Sequence, residues 1–260
     1  MKHIRIFIIA VSVGMMLVGC GTSTPTASNT QSHADLGVKA EWQGITFDLP
    51  TSMGKQWLGK TVAADPTNSD APEIWLIAAH EEITFLDYPA RNQYQPARIL
   101  IFAVTDWQNY NPEAVKRIQA LTQLLKDKPT SFGAQDAIPV LPVFNAAQVF
   151  RARIGYFNFQ NGSGVRFITQ YDQGPIPINN SELFYTYQGL TTDGKYYVAA
   201  FFPITYATLP ADNSNASTVV GPDFQAYLDE TTKTLDAASD DSFSPAIGTL
   251  DKTLQSLKVK

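Results

Sequence analysis

Side chains that commonly carry out catalysis are scarce in this 260-residue sequence, which has three histidines and one cysteine. Among the histidines, only His80 lies in the part of the chain that we expect to fold, as a partly exposed strand residue. His80 and Glu81 match the first two positions of the His-Glu-x-x-His zinc motif, but Thr84 stands where the second histidine is needed. Ser163 lacks the Gly-x-Ser-x-Gly spacing of a hydrolase nucleophile. Histidine- and thiol-based catalysis is therefore not expected, and no cofactor is predicted.

Carboxylates keep one catalytic route open. Cleavage of a glycosidic bond requires only two carboxyl groups at a set separation, which a sequence alone does not reveal. Carboxylates that are merely solvated or ion-paired would give the same sequence pattern. A carboxylate-dependent hydrolase that acts on glycans is therefore retained as an alternative function. Its candidate residues, chosen by their location, are Glu81, Glu82, Asp87 and Glu182.

A loop rich in oxygen ligands indicates a second alternative. Calcium binds carboxylate and amide oxygens, and residues 65–72 form a polar loop between predicted strands. The spacing of the acidic residues differs from that of an EF-hand loop, so a plain polar loop also explains the pattern. The corresponding hypothesis is a calcium-stabilised structural protein. Its candidate ligands are Asp65, Asn68, Asp70 and Glu73.

Three arginines on two predicted strands could form a binding surface. Arg151 and Arg153 lie on the same face of one strand, and Arg166 lies on the strand that a hairpin joins to it. An arginine fork binds a carboxylate or a phosphate through two parallel hydrogen bonds. Pairing with Asp172, Glu182 or a covering loop is the structural alternative. Nearby aromatic residues could bind sugars or partner proteins, although core packing also explains them. They are Tyr156, Phe157, Phe159, Tyr171, Tyr185 and Tyr187.

The amino terminus has the pattern of a secretion signal rather than of a membrane span. Two positive charges precede the uncharged residues 6–18, a run shorter than the ~20 apolar residues that cross a bilayer. The sequence LVGC at residues 17–20 then resembles the bacterial lipobox. That resemblance implies that a peptidase removes residues 1–19 and that Cys20 carries acyl chains such as palmitate. Several such chains would hold the protein stably at a membrane, where one chain holds it only marginally.

The composition beyond the signal indicates an extracytoplasmic protein that does not bind nucleic acid. Residues 20–40 are polar and rich in Ser and Thr, which predicts a flexible tether. Loss of the two positive charges in residues 1–19 changes the net charge from −5 to −7. An acidic chain without a run of Lys or Arg lacks the clustered cations that nucleic-acid binding needs. The expected contacts are a bacterial membrane, through acyl chains on Cys20, and an envelope protein partner, with the domain in the periplasm or at the cell surface.

Hydrophobic spacing predicts the elements that would position these groups. Residues 44–50 alternate apolar and polar and predict a first strand, with residues 57–64 as its partner. Residues 98–104 predict a buried strand, and residues 74–86 predict one or two more. A helix begins after Asn111, whose side chain can cap it, and ends before Pro129.

Two hairpins and two further helices complete the predicted domain. Asn161 and Gly162 tolerate the positive φ of a tight turn and predict the first hairpin. The second hairpin turns at residues 191–194 by the same reasoning. Because these strands are apolar on both faces, both faces must be covered. Residues 41–260 are therefore predicted to form one α+β domain, a single antiparallel sheet covered by helices. The segments are strands 149–159, 165–171, 183–189 and 196–202 and helices 223–235 and 246–257.

Two resemblances to known families follow from these segments. FNAAQVFRARIGYFNFQNGSGVRFITQY and INNSELFYTYQGLTTDGKYYVAAFFP resemble an uncharacterised family of bacterial lipoproteins, which implies no activity. GITFDLPTSMGKQW and LDKTLQSLKV are similar to the opening hairpin and closing helix of Mog1/PsbP-like domains. That group includes envelope lipoproteins of the DcrB type, and the resemblance implies an α/β/α sandwich. We therefore expect a membrane-anchored, non-catalytic module that binds or assembles with an envelope protein or a small ligand, rather than an enzyme.

Overall fold

A computed structural model describes residues 37–260, apart from residues 69, 71, 109, 134, 135 and 215–222. The predicted signal peptide and Cys20 lie outside the described residues, as does the predicted tether up to residue 36. Strand β1 (Val38–Trp42) begins inside the predicted tether of residues 20–40. The folded domain therefore begins slightly before residue 41.

The described part of the chain is dominated by antiparallel strands. The remaining strands are β2 (Ile45–Leu49), β3 (Trp57–Val62), β4 (His80–Phe85), β5 (Arg98–Ala103), β6 (Ala147–Gln148), β7 (Ala152–Phe159), β8 (Gly162–Thr169), β9 (Tyr171–Asp172), β10 (Phe184–Thr191), β11 (Tyr196–Pro203), β12 (Thr205–Tyr206) and β13 (Phe243–Ser244). Seven of them form the main sheet, in the order β3-β4-β5-β11-β10-β8-β7, and every neighbouring pair is antiparallel. The pairs β1–β2, β6–β9 and β12–β13 form separate two-stranded sheets.

The described residues also include four α-helices. They are α1 (Val104–Trp107), α2 (Pro112–Asp127), α3 (Phe224–Ala237) and α4 (Ile247–Ser256). The three long helices, α2 to α4, confirm the three helices that the sequence predicts. Short 3₁₀ helices lie at Thr51–Met53, Glu73–Trp75 and Asp240–Ser242. Within the described ranges, no helix is both long enough and apolar enough to cross a membrane.

Helix α2 shows how a local signal determines an element. The side chain of Asn111 accepts hydrogen bonds from the backbone N–H groups of Glu113 and Ala114, both at 3.1 Å. These bonds satisfy donors that have no partner within the helix. Lys128 follows the helix in the left-handed conformation, and Pro129 prevents its continuation. The predicted start and end of the helix are confirmed.

The main sheet is buried on both faces, which explains its apolar strands. Along β11, Val198, Ala200 and Phe202 pack into one hydrophobic cluster with β1, β2, α3 and α4. The alternate residues of β11 pack into a second cluster with α1, α2 and residues 138–144. Burial on both faces requires apolar residues at successive positions. The α+β class with a mainly antiparallel sheet is therefore confirmed.

The sequence predicts the wrong partner for the strand at residues 44–50. Strand β2 pairs with β1, whereas β3 pairs with β4. Gln43 and Gly44 both have positive φ, at 50° and 79°, as a two-residue type I′ turn requires. Such a turn matches the twist of its two strands and pairs Trp42 directly with Ile45. The short local turn therefore decides the pairing, and β3 joins the main sheet instead.

The two predicted hairpins both exist, but the first turns for a different reason. Phe159 pairs with Gly162, so Gln160 and Asn161 form the turn, and neither Asn161 nor Gly162 has positive φ. A Cβ atom at Gly162 would lie 2.1 Å from the Phe159 ring and 2.4 Å from the Leu190 carbonyl oxygen. Close packing, not backbone conformation, therefore requires glycine there. In the second hairpin, Gly194 has a φ of 70°, as expected for its turn.

Candidate functional site

A surface cleft of about 400 Å³ lies where the loop before β5, the chain before β6 and the chain after β9 meet. We call it the aromatic groove. Its lining combines aromatic rings, amide side chains and one carboxylate. The lining residues are Tyr94, Gln95, Phe144, Asn145, Ala146, Tyr171, Asp172 and Gln173.

The groove has one exposed ring and one fixed ring. Tyr94 is 60% exposed, and Asn92 holds its loop by accepting hydrogen bonds from the backbone N–H groups of Tyr94 and Gln95 at 2.9 and 2.8 Å. Tyr171 packs edge-to-face against Phe144, with 4.5 Å between ring centroids. The Tyr171 hydroxyl also accepts a hydrogen bond from the side chain of Gln148 at 2.9 Å. A ligand would therefore meet a rigid aromatic wall and a solvent-facing tyrosine.

Amide groups supply hydrogen-bonding capacity beside the rings. The Gln173 side chain donates to the backbone oxygen of Asn145 at 2.7 Å, which links two sides of the groove. The side-chain oxygen of Gln95 accepts from Arg98 at 3.2 Å. An amide has two donor hydrogens and an acceptor oxygen, so each of these side chains retains capacity for a ligand.

A pair of carboxyl groups lies at and beneath the edge of the groove. Asp172 lines the groove and accepts hydrogen bonds from the backbone N–H groups of Gln173 and Gly174 at 2.6 and 3.3 Å. Glu182 is 2% exposed, and its Oε2 atom has no hydrogen-bond donor nearby among the described residues. Asn213 approaches its other oxygen at 3.5 Å. Burial, and then the hydrogen bond and the negative charge of Asp172, raise the pKa of Glu182 to about 7.

Glu182 can carry a proton near neutral pH. When it does, it gains a hydrogen-bonding partner in Asp172. The neutral Glu182 then donates a hydrogen bond to Asp172. The sequence analysis names both residues as possible arginine partners, and Glu182 also as a candidate catalytic carboxylate, but it does not predict that they pair with each other.

Arg153 and Arg166, two of the predicted binding residues, are paired inside the protein. Arg153 forms an ion pair with Asp240, and its guanidinium also donates to the backbone oxygen of Asp236 at 3.0 Å. Arg166 forms an ion pair with Asp251 at 3.1 Å and donates to the backbone oxygen of Arg153. These arginines join β7 and β8 to the segments around α3 and α4. Ion pairing was the structural alternative to ligand binding, and the partners are Asp240 and Asp251 rather than Asp172 or Glu182.

Arg151 lies apart from that network, in a separate depression of about 530 Å³. Its guanidinium donates to the backbone oxygen of Gly133 and lies 5.6 Å from the centroid of the Phe132 ring. Lys233 and Asp229 also line this depression. The described contacts therefore hold Arg151 against the loop before β6. The three arginines do not converge on a common binding site among the described residues.

The other candidate carboxylates do not form a pair with one another. Glu81 and Glu82 are adjacent in β4 and point to opposite faces of the sheet, as neighbours in a strand must. Glu81 accepts hydrogen bonds from Trp42 and Thr61 at 3.0 and 2.8 Å. Asp87 accepts from backbone N–H groups of residues 55 and 56 at 2.9 Å each and holds the turn before β3. Glu182 is the predicted candidate that lies next to a second carboxyl group.

The predicted calcium loop has no assembled ligand set in the described part of the chain. The Asp65 carboxylate accepts a hydrogen bond from the backbone N–H of Ile77 at 2.8 Å, which ties the loop to the chain before β4. Asn68, Asp70 and Glu73 are exposed. Among the described residues, no group of three His, Cys, Asp or Glu side chains is placed to hold a metal ion.

The burial of His80 differs from the sequence-based expectation, and the candidate tyrosines divide between the core and the groove. His80 is buried at 9% exposure, whereas the sequence predicts partial exposure, because residues 62 and 142 and neighbouring strand β5 cover it. Tyr185 and Tyr187 are fully buried in the core, while Tyr171 lines the aromatic groove. Tyr94 has no sequence signal of its own, since an exposed loop tyrosine fits many roles.

Comparison with known proteins supplies no family or relative for this chain. No protein-family model matches the sequence, and no curated protein matches it.

Proposed function

We propose that this chain is a lipid-anchored bacterial lipoprotein whose extracytoplasmic domain binds a hydroxyl-rich ligand, such as a sugar unit of an envelope glycan, without converting it. The aromatic groove is the observation that carries this proposal. Sugar rings present apolar C–H faces to aromatic side chains and hydroxyls to amides and carboxylates. Tyr94 and Tyr171 supply the rings, and Asp172 and Gln173 supply the polar partners.

The geometry of the carboxyl pair favours binding over hydrolysis. Glycosidases separate their two carboxyl groups by about 5–5.5 Å or about 6.5–9.5 Å, to admit a sugar carbon or a water molecule. Of the two carboxyl groups, only Asp172 lines the groove, so a bound sugar would meet one carboxylate rather than a pair. One observation favours the hydrolase alternative, namely the pKa of about 7 at Glu182, which suits a general acid. Glu182 is nevertheless buried beneath the groove and does not line it.

The anchoring part of the proposal rests on the resemblance of LVGC to the lipobox, and the fold part rests on the layers around the sheet. We propose an α/β/α sandwich of the Mog1/PsbP-like kind, supported by the hydrophobic clusters on both sheet faces. The proposal does not extend to calcium, because the Asp65 carboxylate already binds the Ile77 amide.

The direct test is binding of the full chain, purified in detergent, to an array of envelope glycans. The best-bound oligosaccharide is then titrated against the wild type and two variants. Tyr94→Ala should weaken binding about tenfold, since an aromatic contact contributes roughly 1.4 kcal/mol. Leu86→Ala removes another exposed apolar side chain, 58% exposed, outside the groove and should leave affinity unchanged.

Four outcomes would count against the proposal. Equal losses in the two variants would show that the groove is not the binding site, and absence of glycan binding would remove the ligand class. Release of new reducing ends from the bound oligosaccharide would favour the hydrolase alternative instead. A protein that co-purifies in stoichiometric amount and occupies the groove would replace the small ligand with an envelope protein partner.

A further inference from the structure

A second cavity, of about 170 Å³, lies over one face of the paired strands β3, β4 and β5 and shares no lining residue with the aromatic groove. We call it the His80 cavity. Four polar residues line it: Asp65, whose carboxylate accepts a hydrogen bond from the Ile77 backbone N–H, and the three side chains of His80, Glu82 and Arg98. Val62, Leu100 and Pro142 contribute apolar walls. His80 and Glu82 are each more than nine-tenths buried, so their polar atoms require partners inside the protein or in the cavity.

The hydrogen-bonding capacity of these three side chains is only partly used. Oε1 of Glu82 has two partners, the Lys60 ammonium at 3.0 Å and the Thr84 hydroxyl at 2.8 Å. Oε2 of Glu82 lies 3.8 Å from Nε2 of His80 and 3.7 Å from Nη1 of Arg98, both beyond hydrogen-bonding distance. Nε of Arg98 is also buried without a partner among the described residues.

These two gaps have the dimensions that a bridging oxygen atom would occupy. Polar groups more than about 3.5 Å apart are commonly joined by a third atom that hydrogen-bonds to both. An oxygen beside each gap can lie about 2.8 Å from both of its partners. Because both gaps share Oε2 of Glu82, the two bridging oxygens would be neighbours.

The chemistry of the partners selects hydroxyl groups. Nδ1 of His80 is 2.8 Å from the Ala78 carbonyl oxygen and donates to it, so Nε2 is the atom left for the cavity. A hydroxyl can donate to Nε2 or accept from it, and can donate to Glu82 while it accepts from Arg98. A carboxylate would be repelled by Glu82, and an ammonium group would be repelled by Arg98.

We propose that the His80 cavity binds a vicinal diol. One hydroxyl bridges Oε2 of Glu82 and Nη1 of Arg98, and the adjacent hydroxyl bridges Oε2 of Glu82 and Nε2 of His80. The cavity has room for roughly five waters at about 30 Å³ each, which is enough for a diol of three or four carbons. This inference is independent of ligand binding in the aromatic groove.

The test compares two isomeric diols on the wild-type full chain in detergent. Propylene glycol has adjacent hydroxyls, and trimethylene glycol has them one carbon further apart. The chain is prepared with isotope-labelled histidine, and the His80 signal is identified as the one lost in His80→Gln. Propylene glycol should shift the His80 signal saturably, and trimethylene glycol should bind at least about tenfold more weakly, the loss expected for one charge-assisted hydrogen bond.

Two variants assign the effect to the cavity. Glu82→Gln should weaken propylene glycol binding about tenfold or more, because the shared acceptor loses its charge. Lys60→Gln is the matched control, since Lys60 contacts only the other oxygen of Glu82, and it should leave affinity within about twofold. A linear, unsaturable response that is equal for both isomers would show that the cavity holds water only and would overturn the proposal. Unchanged affinity in Glu82→Gln would overturn it as well.

Discussion

Two buried glutamates illustrate how neighbours decide the behaviour of a single residue type. Glu82 has His80, Lys60 and Thr84 as neighbours, and their interactions hold its pKa at about 2 against the effect of burial. Glu182 has Asp172 beside it, and burial together with that carboxyl raises its pKa to about 7. The sequence context of the two residues does not reveal this difference, because Lys60 and Asp172 lie outside their immediate neighbourhood.

The raised pKa of Glu182 makes stability depend on pH in a defined direction. The folded protein holds the Glu182 proton more tightly than the unfolded chain, whose pKa is near the ordinary 4.5. The associated stability is therefore fully present below about pH 4.5 and is lost as the pH rises through about 7.

Glu182→Gln should remove that dependence, because the amide donates to Asp172 at every pH. We expect the variant to unfold with a free energy about 2–3 kcal/mol higher than the wild type near pH 9, and within about 1 kcal/mol of it near pH 5. Urea unfolding at the two pH values measures both differences. A variant less stable than the wild type near pH 9 would show that ionisation of Glu182 does not destabilise the folded protein.

At the scale of elements, a helix with complete end signals is predicted accurately, whereas the pairing and order of the strands are predicted less well. Helix α2 is predicted to within a residue because its cap and its terminating proline are both local. The sequence predicts the wrong partner for β2, because the tight turn at Gln43 and Gly44 pairs it with β1 instead. The order of the main sheet, with β11 between β5 and β10, follows from packing that no single segment encodes.

The candidate site was less predictable than the fold for the same reason. Tyr94, Phe144 and Asp172 come from three separate segments, and each has an ordinary sequence context. The arginines had a clear pattern, yet the aspartates that neutralise Arg153 and Arg166 lie beyond residue 235. Ion pairing between residues so far apart in the sequence depends on the fold. A sequence pattern therefore shows that a charge is present but not whether an oppositely charged residue neutralises it.

The residue that caps α2 also links the helix to the chain at residues 74 and 76. Substitutions at this position can separate the contributions of the two roles to stability. Asn111 is 1% exposed, and its side-chain amide donates to the backbone oxygens of Ile74 and Leu76 at 3.0 Å each, in addition to capping the helix. Asn111→Ala should lower the free energy of unfolding by about 2–4 kcal/mol, since it removes the cap and leaves two carbonyls without this donor.

Asn111→Ser is the informative companion variant. Serine retains an oxygen that can cap the helix but has no amide to reach both carbonyls, so it should recover about 1 kcal/mol of the loss. Urea unfolding of the three proteins gives both contributions. Equal stability of the Ala and Ser variants would mean that the cap adds nothing and that the links to residues 74 and 76 account for the effect.

At the scale of the whole molecule, the position of β1 limits how far the domain can lie from its proposed anchor. The domain is folded from Val38 onward, so the chain that joins Cys20 to Val38 reaches at most about 60 Å even when fully extended. A glycan-binding groove on such a domain would act only on ligands close to the membrane surface. Anchoring at Cys20 is therefore a premise of the proposed function and can be tested directly.

Mass spectrometry of the amino-terminal peptide of the membrane-extracted protein tests this premise. We expect the wild type to begin at Cys20 and to carry the mass of several acyl chains, each methylene of which contributes about 0.8 kcal/mol to membrane binding. Cys20→Ser removes the thiol to which the lipid is attached, so the variant should retain residues 1–19 and carry no acyl mass. Ser23→Ala changes a nearby hydroxyl outside the lipobox and should be processed like the wild type. An unmodified thiol at Cys20, or cleavage at another residue, would contradict lipid anchoring and leave the domain free to bind ligands away from the membrane.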